Sequence, residues 1–277
     1  MTKRDISGLS IVITGAARGI GQATAELLAG MGATVALGDL DEVLVQQVAE
    51  RIGRGAVGAR LDVTSAESWR SFLAEVGEVG PVDVLVNNAG IMPLGSVLKE
   101  PEVVTRSVID VNVHGLINGT KAIAPGMAER GRGHIVNVAS AAGRIAVADG
   151  ATYSASKFAA VGFSEATRAE LAPLGIDVSM ILPSIVSTEL ASGLPSTRGV
   201  KTVTPLEVAE VIASAIRRPR AELWVPQWVQ SMSRATNVLP RRVQEFMATA
   251  FKADTVFSDA DPAAREAYEA RVRPPVG

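Results

Sequence analysis

The sequence predicts an α/β fold: a doubly wound parallel sheet between two layers of helices, forming a single domain with a C-terminal helical extension. Short, nearly unbroken apolar runs alternate with amphipathic helical patterns along the chain, as in parallel sheets covered on both faces. A glycine-rich turn directly follows the first apolar run. The 277 residues are 47% hydrophobic and 20% charged, which is enough for a sizeable core.

Seven strands are predicted from runs rich in valine and isoleucine. Six of them are continuous enough to be buried on both faces, and a seventh, shorter run reads LWVP. The runs begin near residues 9, 33, 56, 82, 134, 176 and 223.

The helices are predicted from apolar residues at helical spacing between these runs. We expect a long helix from about 101 to 130, with Pro125 as a breaker near its end, and a second from Ala151 to Leu171, stopped by Pro173 and Gly175. Residues 187–204 lack sustained periodicity and indicate a flexible loop. The other predicted helices cover 20–31, 42–52 and 66–76 and start again near 205.

The last fifty residues show helical patterns without the strand–helix alternation of the rest of the chain. We therefore divide the chain into a nucleotide-binding and catalytic domain, 1–226, and a helical extension, 227–277. One predicted helix follows Pro240, and a second has Asp261 as its cap and Pro262 at its first position. We expect the extension to pack on its own or a neighbouring subunit. Docking at a membrane surface is the alternative, suggested by Arg241, Arg242, Trp224 and Trp228. The apolar face of the first helix comprises Val243, Phe246, Met247, Ala250 and Phe251.

Charge and composition exclude several function classes. The net charge of −2 and the lack of a long basic block argue against nucleic-acid binding. The absence of cysteine excludes disulfides and thiolate chemistry, and with only His114 and His134 we expect no metal site. We interpret both histidines as structural. No stretch is apolar enough for a transmembrane segment or a signal peptide, so we expect a cytoplasmic protein.

The turn after the first strand reads TGAARGIG, with glycines at 15, 19 and 21. Glycine permits tight turning and close approach of backbone N–H groups to a ligand. The N-terminus of the following helix offers unpaired donors and a positive dipole end to a pyrophosphate. Because a strand precedes the turn and a helix follows it, the motif predicts a dinucleotide-binding, Rossmann-type site.

Asp39 ends the second strand, about 20 residues beyond the glycines, where a carboxylate can bind an adenosine ribose. Its charge would repel a 2′-phosphate, so it favours NAD over NADP. Arg18 complicates this choice, since a cation in the glycine loop could pair with a 2′-phosphate. Asp39 could otherwise be a turn residue that starts the next helix.

The segment ATYSASK places Tyr153 and Lys157 one helical turn apart, on the same face of the second long helix. Such a pair also occurs by chance on solvated helix faces. A free tyrosine has a pKa of about 10, too high for a good base at neutral pH. We expect the charge of Lys157 to lower the pKa of Tyr153 and to make it a usable acid and base.

Several motifs in order resemble the short-chain dehydrogenases/reductases in their single-domain branch. TGAARGIG, NNAG at 87–90, Asn112, Ser140 thirteen residues before Tyr153, the Tyr-x-x-x-Lys pair and PSIVST at 183–188 all resemble family motifs. The resemblance covers about residues 6–226. Ser184 departs from it, because the family has glycine there.

The resemblance implies a role for each of these residues. Tyr153 is the acid/base, Lys157 also holds the nicotinamide ribose, Ser140 binds the substrate oxygen, and Asn112 binds a water in a proton path. Val186 and Thr188 hold the nicotinamide carboxamide. The full set of candidate cofactor-binding residues is Gly15, Arg18, Gly19, Ile20, Gly21, Asp39, Leu40, Asp62, Val63, Asn88, Ala89, Gly90, Tyr153, Lys157, Pro183, Val186 and Thr188.

We therefore expect an NAD-dependent oxidoreductase that interconverts a small-molecule secondary alcohol and a ketone. The expected pocket residues at 91–94, 144–149 and 187–204 (Leu190, Leu194 and Val200) are mostly apolar, which favours a lipophilic substrate, although Arg144 could hold a carboxylate. A dehydratase or epimerase that uses the cofactor transiently, and a catalytically silent nucleotide sensor, remain alternatives. The resemblance implies a homodimer or homotetramer paired through the two long helices.

Overall fold

The structure, a computed structural model, describes residues 4–77, 80–195, 202–237, 239–240, 242 and 256–273. Its strands form one parallel sheet, as the apolar runs predict, and the sheet order is β3-β2-β1-β4-β5-β6-β7. The strands are β1 (Ser10–Thr14), β2 (Thr34–Asp39), β3 (Val57–Arg60), β4 (Val84–Asn87), β5 (Gly133–Val138), β6 (Ile176–Pro183) and β7 (Glu222–Val225).

The helices agree with the sequence patterns in most bounds, and α8 is an additional helix that the patterns did not indicate. They are α1 (Gly19–Gly30), α2 (Glu42–Ile52), α3 (Ala66–Glu75), α4 (Glu102–Ile109), α5 (Gly115–Glu129), α6 (Ala151–Leu171), α7 (Pro205–Arg217), α8 (Trp228–Asn237) and α9 (Pro262–Val272). No helix in the described ranges is both long and apolar enough to cross a membrane.

Helices cover both faces of the sheet, so the fold is the predicted three-layer sandwich. Leu28 of α1, Val48 of α2 and Ile212 of α7 belong to one apolar core. Phe72 of α3 and Met127 of α5 belong to the core on the opposite face. Burial of apolar side chains on both sides explains why the strands read as nearly continuous apolar runs.

The strand order reverses at β1, which pairs with β2 on one side and β4 on the other. In sheets of this kind the loops beyond the carboxyl ends of the two central strands diverge and leave a crevice. The glycine turn follows β1 and the NNAG segment ends β4, so both motifs lie at this crevice.

The helix expected from 101 to 130 is interrupted. A widened π-helical turn, Asp110–His114, separates α4 from α5. Pro125 does not break the helix, because α5 continues through it to Glu129. Proline costs a backbone hydrogen bond inside a helix, but here Ile123 and Met127 pack the same helix against the sheet.

Of the two helices predicted in the C-terminal extension, the structure describes only the second. Asp261 caps α9 by accepting a hydrogen bond from the Ala263 N–H at 2.9 Å, and Pro262 opens the helix, as predicted. The predicted helix with its apolar face at 243–251 lies outside the described residues. Trp224 is buried, with its indole N–H donated to Glu222, which removes it from the membrane-docking alternative.

Candidate active site

The glycine turn has no room for side chains at two positions. Gly15 has φ +64°, and a Cβ there would lie 2.9 Å from the Cα of Ala89. A Cβ on Gly21 would lie 2.2 Å from the carbonyl oxygen of Gly15. The sequence therefore needs glycine at both positions, for close packing of the turn against the NNAG segment and for the first turn of α1.

Hydrogen bonds join this turn to the end of β4. The Thr14 hydroxyl accepts the backbone N–H groups of Asn88 and Ala89, each at 3.0 Å. In return, the Asn88 amide donates to the carbonyls of Thr14 at 2.9 Å and Gly15 at 3.0 Å. These four bonds fix the two loops that flank the crevice.

The N-terminus of α1 suits an anionic ligand. Its cap residue Arg18 is extended and makes no side-chain capping bond within the described chain, and the first turn contains no acidic residue. The first N–H groups of a helix have no intrahelical partner, and the helix dipole is positive at this end. Backbone donors next to a glycine cradle fit a pyrophosphate.

Asp39 braces the same turn with its carboxylate. One oxygen accepts the Ala17 N–H at 2.9 Å and the other accepts the Asp41 N–H at 3.1 Å. Arg18 is paired with the carboxylate of Asp41 at 2.8 Å. The pKa of Asp41 is lowered by the Leu44 backbone N–H first and by Arg18 second. The charge of Arg18 is thus already balanced.

A cavity of about 1120 Å³ runs from the glycine turn to the start of α6. It exceeds the usual range for one small ligand, about 300–1,000 Å³, and can accommodate a dinucleotide together with a substrate. The sequence-predicted residues that line it are Gly15, Arg18, Gly19, Ile20, Asp39, Leu40, Asp62, Val63, Asn88, Ala89, Gly90, Ser140, Tyr153, Lys157, Pro183, Val186 and Thr188.

Ser140, Tyr153 and Lys157 come together at one end of this cavity. Tyr153 and Lys157 lie on consecutive turns of α6 and are each 6% exposed. The Lys157 ammonium donates to the carbonyl of Val138 at 3.2 Å and lies 5.8 Å from the centre of the Tyr153 ring. Ser140 lies close enough to Tyr153 to act on the pKa of its hydroxyl.

Burial shifts the pKa values of Tyr153 and Lys157 in opposite directions, since it disfavours both charged forms. It raises the pKa of Tyr153, with the Ser140 contact acting the other way. It lowers the pKa of Lys157 to about 8. This differs from our expectation that Lys157 would lower the pKa of Tyr153, because desolvation dominates in the chain by itself.

Asn112 lies in the π-helical turn and is buried. Its Oδ1 accepts the Ile91 N–H at 2.8 Å, and its Nδ2 donates to the Ile91 carbonyl and the Ser156 hydroxyl, both at 2.9 Å. Both amide hydrogens are therefore used to hold the segment after β4 against α6. Any water bound here, as the resemblance implies, would rely on other atoms of Asn112.

The segment 183–188 returns to the glycine turn. A Cβ on Gly19 would lie 3.3 Å from the Cγ2 of Thr188. Ser184, the departure from the family pattern, donates its N–H to the Val225 carbonyl at 2.8 Å. Its buried hydroxyl finds no hydrogen-bond partner among the described residues.

The end of the cavity around Tyr153 is apolar, and part of it comes from the C-terminal extension. Tyr153 belongs to a buried cluster with Met92, Ala142, Val256 and Phe257. Sequence reasoning missed the lining residues of the extension, which are Val229, Met232, Val256, Phe257, Tyr268, Arg271 and Val272. The available signal was an arginine, a tyrosine and a glutamate at helical spacing in AAREAYEARVR.

Other pocket predictions had mixed outcomes. Arg144 does not serve the pocket, because it is ion-paired with Glu165 and, at 2.8 Å, with Glu222. Ile91, Met92, Leu190 and Leu194 line the cavity as expected. Val200 lies outside the described residues.

Comparison with known proteins gives consistent relatives. A family described as short chain dehydrogenase matches residues 10–199. The chain is 32% identical over 217 residues to the 3-oxoacyl-acyl-carrier-protein reductase FabG of Vibrio cholerae. The aligned residues cover 78% of this chain and 87% of that protein. The chain is also 33% identical over 247 residues to estradiol 17-beta-dehydrogenase 11 of Mus musculus. The aligned residues cover 87% of this chain and 83% of that protein.

A solved structure gives the same result in three dimensions. A short chain dehydrogenase/reductase from Burkholderia phymatum in complex with NAD superposes with a TM-score of 0.77 at 27% identity. The match covers 83% of this chain and 93% of that one.

Proposed function

Because the chain belongs to the short chain dehydrogenases, we propose that it interconverts a lipophilic secondary alcohol and a ketone by hydride transfer with NAD. One observation carries the proposal. Ser140, Tyr153 and Lys157 line the same cavity as the glycine turn, with the Lys157 ammonium 5.8 Å from the centre of the Tyr153 ring. A substrate oxygen at Tyr153 and a dinucleotide on the turn would share that cavity.

The chain's own residues would manage the substrate proton. When bound, the nicotinamide supplies or accepts the hydride. In the reductive direction, Tyr153 gives its hydroxyl proton to the carbonyl oxygen as negative charge develops there. Ser140 hydrogen-bonds the same oxygen and stabilises that charge. Lys157, with a pKa of about 8, is mostly protonated at neutral pH. Its positive charge stabilises the phenolate that forms when Tyr153 loses its proton.

The raised pKa of Tyr153 disfavours alcohol oxidation at neutral pH. A buried phenol that keeps its proton is ready to act as an acid. Alcohol oxidation needs the phenolate instead, so we expect oxidation to require a higher pH than reduction. An ordinary tyrosine forms the phenolate only as the pH approaches its pKa of about 10, and the raised pKa of Tyr153 moves this requirement to still higher pH.

Two contacts support NAD over NADP. The Asp39 carboxylate lines the cavity at the end of β2, where it would repel a 2′-phosphate. Arg18 is already paired with Asp41 at 2.8 Å, which reduces its attraction for a second anion. The similar protein from Burkholderia phymatum was solved with NAD, in agreement with this preference.

The apolar cluster around Tyr153 supports a lipophilic substrate. Met92, Phe257 and Leu194 belong to it or pack on it. Burying apolar substrate surface against such side chains contributes about 25 cal/mol per Å². The names of the relatives, a 3-oxoacyl reductase and an estradiol dehydrogenase, suggest substrates with an apolar part next to the carbonyl.

A screen of ketones and alcohols with NADH, NADPH and their oxidised forms tests the proposal. We expect net turnover of reduced nicotinamide, followed by its absorbance, with a higher kcat/KM for NADH. Tyr153→Phe should lower kcat by about 10²–10⁴-fold, because the proton donor is lost, while NADH affinity stays within about twofold. Binding without any turnover, or product formation without net nicotinamide turnover, would point to the sensor or the dehydratase/epimerase instead.

A matched pair of lysine variants checks the role of Lys157. Lys157→Met should weaken NADH binding and lower turnover, since the buried ammonium is removed from the cavity. Lys121→Met removes an exposed lysine of α5 and should change neither. Equal effects of the two substitutions would contradict a specific role for Lys157.

A further inference from the structure

We propose that Arg265 is a positioning residue for the substrate pocket. From α9 it joins the loop after β4 to the loop after β6, and with Tyr268 and Glu269 it forms a clasp that holds both loops around the apolar arm of the substrate. The substrate part of this inference rests on the proposed function. The clasp itself rests on contacts of the described residues alone.

Arg265 binds three backbone carbonyls from two distant loops. Its guanidinium donates to the carbonyl of Met92 at 2.8 Å, and to those of Leu190 and Ser192 at 3.0 Å each. Only 3% of the residue is exposed. The planar guanidinium has five donors in a fixed fork, so it fixes the distance between the loops better than a lysine could.

Glu269 balances the buried charge and adds contacts to the same loop. Its carboxylate pairs with Arg265 at 3.0 Å and with Arg273 at 2.6 Å, and accepts the Leu94 N–H at 3.3 Å. Arg273 in turn donates to the Leu94 carbonyl at 2.7 Å. A buried charge is tolerated only when it is paired and hydrogen-bonded, so these partners keep Arg265 in place.

Tyr268 completes the clasp from the same face of α9. Its hydroxyl accepts the Met92 N–H at 2.7 Å, while Arg265 binds the Met92 carbonyl. Both backbone groups of Met92 are therefore held by α9. The guanidinium groups of Arg265 and Arg271 lie 5.1 and 5.6 Å from the centre of the Tyr268 ring, within cation–π range.

The clasp acts directly next to the reacting groups. Phe257, which precedes α9, packs edge-on against Tyr153, with 6.3 Å between ring centres. Gly150 leaves the space for it, since a Cβ there would lie 2.5 Å from the Phe257 ring. Phe257 and the clasped loops therefore form the wall that an apolar substrate arm would contact.

The same helix also contacts the dinucleotide end. Arg271 pairs with Glu189 at 2.6 Å, and Glu189 lies 3.7 Å from Arg18. These ion pairs are partly exposed and contribute little to stability. Their arrangement nevertheless places α9 across both ends of the cavity, whereas Arg265 acts at the substrate end.

The first test compares Arg265→Met, Arg265→Lys and Tyr268→Phe with Glu266→Gln, an exposed control on the same helix. Hydrogen exchange needs no substrate and reports the clasp itself. We expect faster exchange in segments 91–95 and 184–195 for Arg265→Met, in 91–95 for Tyr268→Phe, and no change for the control. Unchanged exchange in both clasp variants overturns the clasp.

The second test measures kcat and KM for 2-butanone and 2-decanone with NADH, and the NADH dissociation constant. Arg265→Met should raise KM for 2-decanone about tenfold, with a smaller change for 2-butanone and unaltered NADH affinity. Arg265→Lys should recover part of the loss, because it keeps the charge and some donors. A merely structural role would instead lower kcat for both ketones equally and leave KM unchanged, which overturns the positioning role.

The two proposals fail in distinguishable ways. If the wild-type protein turns over no ketone or alcohol with either nucleotide, the proposed function fails, while the exchange result still decides the clasp. If turnover occurs but Arg265→Met leaves both ketones unaffected, the positioning role fails and the proposed function stands. Tyr268→Phe removes a single acceptor, so it keeps the test open should Arg265→Met not fold.

Discussion

At the scale of single residues, Tyr153 and Lys157 are two buried titratable groups whose neutral forms are favoured by desolvation. Burial raises the pKa of Tyr153 and lowers the pKa of Lys157. Their spacing of one helical turn was readable in the sequence, but their burial was not. The same physics applies to a residue far from the chemistry, His134.

His134 lies in β5, fully buried, with its Nε2 hydrogen-bonded to the Ser179 hydroxyl at 2.9 Å. Burial, with smaller contributions from Arg4 and Arg168, lowers the pKa of His134 from 6.5 to about 3. Below pH 6.5, His134 therefore binds a proton in the unfolded chain but stays neutral in the folded chain. Stability is lost as the pH falls from 6.5 towards 3, by about 1.4 kcal/mol per pH unit.

We expect His134→Asn to remove this part of the pH dependence of the unfolding free energy. Denaturant unfolding at several pH values between 7 and 5 measures it, as the difference between variant and wild type. His114 is exposed, so His114→Asn is the matched control and should leave the slope unchanged. A wild-type slope retained in His134→Asn would show that other groups cause the acid destabilisation.

At the scale of elements, the turn between β1 and α1 shows how a local motif depends on a neighbouring strand. Gly21 lies in the first turn of α1, where a Cβ would meet the Gly15 carbonyl at 2.2 Å and the Asn88 amide at 2.7 Å. Gly30, at the other end of α1, has nothing within 4 Å of an added Cβ in the described structure. The two positions therefore differ in packing within one helix.

Gly21→Ala should displace the glycine turn and weaken NADH binding by at least about tenfold, because backbone atoms would have to move away from the ligand. Gly30→Ala should leave NADH affinity unchanged and stabilise α1 by about 0.5–1 kcal/mol. Fluorescence titration with NADH and thermal unfolding measure both effects. Equal NADH affinity in the two variants would contradict the assignment of this turn to the dinucleotide.

The π-helical turn between α4 and α5, unlike the glycine turn, is an element that the sequence did not reveal. Its apolar pattern reads as one helix, because one extra residue in a turn changes the period only slightly. The turn places Asn112 beside Ile91 and Ser156. The consequence is a link between three segments that lie far apart in the sequence.

At the scale of the whole molecule, the assembly remains a prediction. Phe158, a large apolar side chain on α6, is 45% exposed. The resemblance implies pairing through the long helices, and a partner subunit would cover such a residue. We therefore expect a homodimer or homotetramer in which α6 is buried.

Light scattering after size-exclusion chromatography tests this assembly. The wild-type protein should elute as a dimer or tetramer, and Phe158→Asp should shift it to a smaller species, since a charge in an apolar interface is costly. Leu174 is 46% exposed, just beyond the end of α6, and Leu174→Asp is the control expected to keep the wild-type size. A wild-type monomer at every concentration would refute the prediction.

The sequence by itself determined the order of the elements, the glycine turn and the pairing of Tyr153 with Lys157. These features depend on local properties: the period of apolar residues, the conformational freedom of glycine and the pitch of a helix. All seven strands of the sheet follow their predicted runs for that reason.

Only the tertiary structure decided the direction of the pKa shifts, the diversion of Arg144 to Glu222 and the place of α9 in the site. The contacts of Arg265 and Tyr268 with Met92 join residues 173 and 176 positions apart. Neither spacing nor composition specifies which distant segments will meet. That is set by how the layers and loops pack together, because burial and hydrogen bonding depend on neighbours in space rather than along the chain.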